Sequence, residues 1–231
     1  HRKSPKKAAA PKSLQQAMLD GDIPAIEAAL KRGENINQQY DKPSKKKQLV
    51  KAVDVFLGGL PLQKRYGWAP LHQAVARNNI QLAQLLLANH ASTEVLGGDG
   101  WTPLHTAAMY GHVDMINLLL DHGAARDAQG YNNFTPLARA AWFRRYDAMR
   151  VLIARGADVC LSYTEKFGLT LLHLAAGWGG VDPGEINVAD WGALKTGWGD
   201  LVVVGILLEN GADREAVDKK GKTALDYARA L

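Results

Sequence analysis

Three histidines, His72, His105 and His173, each follow a leucine in the phrases "APLH", "TPLH" and "TLLH". Imidazoles can ligate metal or move protons, so these are the first candidates for chemistry. They occupy the same slot of a recurring phrase and therefore sit on successive units rather than around one point. Asp182, Glu185 and Asp190 offer carboxylates, but their spacing matches no calcium-loop pattern. "GWGGVDPG" brings glycines together after a helix rather than a strand, and no G-x-G-x-x-G phosphate loop is completed. Cys160 has no neighbouring His or Lys to activate it. No catalytic constellation, metal site or cofactor site emerges, and the expected role is not enzymatic.

The residue types that do concentrate are aromatics and arginines, and a repeat positions them. "GWAPLHQAVARNN", "GWTPLHTAAMYGH" and "NFTPLARAAWFRR" place Pro70, Pro103 and Pro136 thirty-three residues apart. "GLTLLHLAAGWG" and "GKTALDYARAL" continue the phrase, and "SLQQAMLDGDIPAIEAALKRG" is a divergent opening unit. Within one unit, Thr102 is an N-cap and Pro103 suits the first helical position, where no amide partner is needed. Leu104, Ala107 and Ala108 form an apolar stripe that Gly111 ends. Met115, Ile116, Leu119 and Leu120 mark a second helix, closed by Gly123. One such pair cannot bury both its apolar faces, whereas stacked pairs form a solenoid with a continuous core.

A thirty-three-residue unit bearing T-P-L-H-x-A resembles the ankyrin repeat. The resemblance implies an all-α ankyrin-repeat solenoid of five helix pairs plus a C-terminal half-repeat, with short finger hairpins. It also implies binding of a partner protein through fingers and first helices that line a concave groove, with no cofactor. Carried onto this sequence, the finger positions are Tyr66 and Trp68, Asp99 and Trp101, then Tyr131, Asn132 and Phe134, and Phe167. The helix-end positions are Arg77, Met109 and Tyr110, then Trp142 and Phe143, and Trp178. Arg144 and Arg145 stand where a Gly-His break is usual and add charge at the same edge. A Trp after the junction glycine, as at Trp68 and Trp101, commonly packs against a neighbouring finger in the family. The histidines are expected to bond backbone of the next repeat, a bond that Ala138 removes from the fourth unit.

Charge and spacing mark three departures from the repeat. Residues 1–66 carry fourteen Lys/Arg against six Asp/Glu, and residues 67–231 carry fourteen against seventeen, so the net charge of +5 belongs to the front of the chain. Residues 1–12, "HRKSPKKAAAPK", read as a basic disordered arm ahead of a repeat domain over 13–231. An acidic protein or nucleic acid is the partner class that arm suits. Insertions are expected over 42–65 and 179–198, the second holding Trp191 and Trp198 between two G-W-G triplets. The chain opens on His1, as a segment cut from a longer protein would. A single cysteine and the lack of a long apolar run point to an intracellular protein, nuclear or cytoplasmic, acting as a monomer away from membranes. Two other functions compete with the groove. One is an aromatic cage near Asp99 that reads basic or methylated-lysine peptides. The other is an escort or chaperone for a nucleic-acid-binding protein.

Overall fold

The period seen in the sequence is written into the backbone. Gly100, Gly111 and Gly123 have φ of 76°, 76° and 83°, and Asn133, Arg144 and Gly156, each thirty-three residues later, have φ of 57°, 54° and 88°. Each trio marks the junction, the end of the first helix and the end of the second. The computed structural model of the chain describes residues 10–39, 67–98, 100–130, 133–162, 168–176 and 200–229. Among these residues the structure is all-α, with only isolated antiparallel bridges, Ser162 with Thr170 and Val217 with Thr223. The insertions and most of the basic arm lie outside the described residues.

Two compact units form, residues 1–99 and 100–231. The first holds α1 (Leu14–Asp20), α2 (Ile23–Lys31), α3 (Pro70–Ala76) and α4 (Ile80–Ala88). Ser13 caps α1 by accepting from the Gln16 amide, and Asp22 and Asn79 cap α2 and α4 in the same way. Leu14, Ala17 and Met18 pack with Ile26 and Ala29 in the first pair, as do Leu71, Ala74 and Val75 with Leu82, Ala83 and Leu86 in the second. Lys12 lies 2.8 Å from both Asp20 and Asp22. These hydrogen-bonded ion pairs raise its ammonium pKa, the Asp20 contact most.

The second unit holds α5 (Pro103–Tyr110), α6 (Val113–Asp121), α7 (Pro136–Trp142), α8 (Tyr146–Ala154), α9 (Leu171–Ala175), α10 (Leu201–Glu209) and α11 (Ala224–Ala228). Inner helices α5 and α7 pack side by side, as do α9 and α11, while α6, α8 and α10 form the outer row. Alanines at 107, 108, 140 and 141 are buried between inner helices, and the absence of longer side chains lets the backbones approach. Among the described residues this gives five helix pairs and one unpaired final helix, as the repeat arithmetic requires.

His105 shows how one repeat is tied to the next. Its Nδ1 lies 2.8 Å from Thr102 Oγ1 and its Nε2 2.8 Å from the Phe134 carbonyl. His173 repeats the arrangement with Thr170 Oγ1 at 2.8 Å and the Lys222 carbonyl at 3.0 Å. Both rings are fully buried. Each is therefore a structural crosslink between units, and among the described residues no group of three or more His, Cys, Asp or Glu could hold a metal ion.

The final half-repeat is locked by Asp218, a buried carboxylate. Burial pushes its pKa up, but the Tyr227 hydroxyl at 2.6 Å and the Lys222 and Lys220 amides at 2.9 and 2.8 Å outweigh that. They hold the carboxyl below its ordinary range. Burial first, and then the bond to Asp218, push the Tyr227 phenol up to about 12. A lowered carboxylate contributes stability above the ordinary Asp value of about 4 and loses it as pH falls through the folded value. The raised phenol contributes below an ordinary value of about 10 and loses its share as pH rises through the folded one. Tyr227→Phe is expected to cost about 1–2 kcal/mol at pH 7 and less at an acid pH below the ordinary Asp range, as Asp218 takes up its proton. Urea unfolding of both proteins at the two pH values checks this; an equal loss at both would show that the carboxylate charge plays no part.

Candidate protein interface on the second unit

The aromatic and arginine positions in the second unit converge on one side chain the sequence reading passed over, Arg139. It lies in α7, immediately after Ala138, and only 5% of it is exposed. Its guanidinium carbon stands 3.8 Å from the centre of the Trp101 ring and 5.5 Å from that of Phe143. Its Nη2 donates to Met109 Sδ at 3.1 Å. A charge this deep is costly unless compensated, and two aromatic faces with a polarizable sulfur supply part of that compensation. The fourth unit thus lacks the histidine bond yet is not simply loosened. A cation held between Trp101 of one repeat and Phe143 of the next bridges the same gap. The substitution of "PLAR" for "PLHT" was the visible signal.

Trp101 itself is buried, 4% exposed, and packs on the next finger. An added Cβ on Gly130 would run into its ring, which explains a glycine there. Met109 is buried as well. Phe134 and Trp142 meet edge to face at 6.0 Å, and both are half-buried, as are Phe143 and Tyr110. Tyr110 stacks on His112 at 5.5 Å. Arg144 and Arg145 are exposed. Arg145 Nε donates to the Met109 carbonyl at 3.0 Å, and its aliphatic stem crosses Gly111, whose missing Cβ leaves the room. Arg144 Nε lies 3.2 Å from Asp200 Oδ2, which also accepts from the Tyr146 hydroxyl at 2.9 Å. That bond, then burial, raises the Tyr146 pKa. Asp200 Oδ1 caps α10 through the Val202 and Val203 amides.

In the first unit, Trp68 is buried and stacks on His72 at 5.9 Å, while Arg77 is exposed and donates to the Met18 carbonyl at 3.3 Å. Tyr66, Asp99, Tyr131, Asn132, Phe167 and Trp178 lie outside the described residues. The structure therefore brings Trp101, Met109 and Phe143 together around Arg139, sets Phe134 against Trp142, and places Tyr110, Arg144 and Arg145 at the adjoining helix ends.

Helix pairs that bury one face on the next pair, tied by buried histidines, define an α-helical repeat protein. Residues 71–163 match the family model for ankyrin repeats in three copies, so this part of the chain is built of ankyrin repeats. A comparison with curated proteins found no significant match. Ankyrin repeats are generally protein–protein interaction modules and typically non-catalytic. No described helix is long and apolar enough to cross a membrane.

Three substitutions probe the Arg139 cluster. Gly130→Ala is expected to destabilise by about 1–3 kcal/mol, because the Trp101 ring must move from a packed site. Arg139→Ala is expected to cost about 2–4 kcal/mol, losing both ring contacts and leaving a void. Arg139→Met, which refills the volume without the charge, should recover a good part of that loss. Denaturant unfolding of the three variants checks the order; full recovery by methionine would assign the arginine's contribution to volume alone.

Proposed function

We propose that a segment of a partner protein lies along the inner-helix surface of the second unit and seats apolar side chains on Tyr110, Phe134, Trp142 and Phe143. Arg144 and Arg145 set its charge complementarity. The observation that carries this reading is the half-exposed pair Trp142 and Phe143, the second of which stands over the buried Arg139. Half-buried aromatics with fixed rings lose little entropy on binding and are enriched among the residues that dominate interface energies. The module's general role in protein binding supports it further. Trp101 and Met109 enter as the buried support of that surface rather than as contact atoms.

The cage reading draws nothing from Trp101, since Arg139 already covers a face of that ring. Its remaining elements, Asp99 and Tyr131, fall outside the described residues. The escort reading rests on the basic arm, of which only Lys12 and the two residues before it are described.

Trp142→Ala combined with Phe143→Ala tests the proposal. The double variant is expected to retain its helical circular dichroism and lose at least about tenfold in affinity for a partner, roughly 1.4 kcal/mol or more. The measurement is quantitative affinity capture of partners against the wild type, with Arg214→Gln as a surface control. Unchanged capture by a folded double variant would overturn this surface as the contact site.

A further inference from the structure

Arginines stand at the end of the inner helix in the fourth repeat, and, as before α6, no side chain caps the outer helix that follows. Outer helices α2, α4 and α10 are capped by Asp22, Asn79 and Asp200, whose side chains accept from first-turn amides. The same position before α8 is Arg145, and no side chain caps that helix. Arg144 and Arg145 precede the positive end of the α8 dipole, where Asp147 is the acidic residue of the first turn. Arg144, one residue earlier, adopts φ 54° in a slot filled by glycine at Gly21 and Gly111. A long side chain in the left-handed region costs about 1 kcal/mol, and a site that keeps such strain has a use for the side chain.

A cavity of about 310 Å³ opens at this point, lined by Tyr110, Gly111, Tyr146 and Ala148 together with Arg144, Arg145, Arg150 and Asp147. Three guanidiniums stand here against two carboxylates, Asp147 and Asp200. Arg150 lies 3.3 Å from Asp147, and Arg144 reaches Asp200. Arg145 bonds only the Met109 carbonyl among the described residues, through Nε, so its two Nη groups have no carboxylate to neutralise them. A planar fork of donors beside uncapped helix amides is suited to an oxyanion.

Building on the partner reading above, we infer that this cavity receives an anionic side chain of the partner segment, a carboxylate or phosphoryl group held by Arg145, with Arg144 and Arg150 and the α8 amides around it. The apolar surface of Trp142 and Phe143 adjoins it in sequence. A partner that lays apolar residues on those rings would then place its acidic residue at the end of α7.

The test uses the whole protein without any partner. Inorganic phosphate, and separately acetate, are titrated at constant ionic strength while the arginine Nε–H signals and the Tyr146–Ala148 amides are followed by ¹⁵N NMR. Phosphate is expected to shift the Arg145 signal and these amides along one saturable curve. Arg145→Gln should weaken that binding about fivefold or more, and Arg150→Gln, a second variant, should weaken it measurably. Arg214→Gln should leave it unchanged. Phosphate binding more tightly than acetate assigns a phosphorylated residue, and equal or tighter acetate binding assigns Asp, Glu or a chain terminus. Absence of saturation by about 50 mM, or an equal loss in Arg214→Gln, would overturn the site and leave only ionic screening. Because no partner is present, that failure is separable from failure of the aromatic surface, which the Trp142/Phe143 double variant reads independently.

Discussion

A helix pair of this length has two apolar faces and only one internal partner for each, so its stability is decided at the contact with the next pair. The His105 imidazole makes that contact specific. One ring nitrogen meets the hydroxyl that caps its own helix, and the other meets the Phe134 carbonyl of the following finger. A buried ring satisfied at both nitrogens carries little desolvation cost and fixes the distance between repeats. Capping, stacking and finger position are thus coupled through one side chain. Losing any member of that chain leaves a buried polar atom behind.

The fourth repeat meets the same requirement by different chemistry. Alanine replaces the histidine, and the following arginine turns into the interior between Trp101 and Phe143. The exchange has a consequence for the surface. Of the two rings that hold the buried cation, Trp101 is itself buried, whereas Phe143 with its neighbour Trp142 remains half-exposed at the helix end. The structural solution at the core of the repeat thus adjoins the half-exposed aromatic pair at its edge. The burial of Arg139 and the exposure of Trp142 are two outcomes of one packing arrangement.

Much of the scaffold was legible because short-range rules set it. Thr102, Thr135 and Thr223 cap the helices they precede, and left-handed residues recur at intervals of thirty-three. Five pairs and a half-repeat followed from spacing alone. The role of Arg139 was not legible, because an arginine in a helix is ordinarily exposed and only the packing of Trp101 from the preceding repeat and Phe143 at the end of its own helix reveals its burial. Trp68 and Trp101 illustrate the same limit: a Trp at a finger reads equally as contact or as packing, and burial places both inside their units. Asp200 caps α10 through local amides, but its bonds to Tyr146 and Arg144 span more than fifty residues, which no local pattern encodes.

Rigidity connects these observations to binding. Association costs least when the contact side chains are already held in place. Trp142 is held by an edge contact with Phe134, Phe143 by the cation beneath it, and Arg145 by the Met109 carbonyl and the open space over Gly111. Arg144 is drawn toward Asp200, the cap of the next outer helix. Arg145 and Arg144 are tied to the preceding and following repeats, whereas Trp142 and Phe143 are held within their own. The proposed interaction surface would thus be assembled in part by the stacking that stabilises the fold. A change that loosens one repeat from the next would weaken recognition before it removed any contact residue.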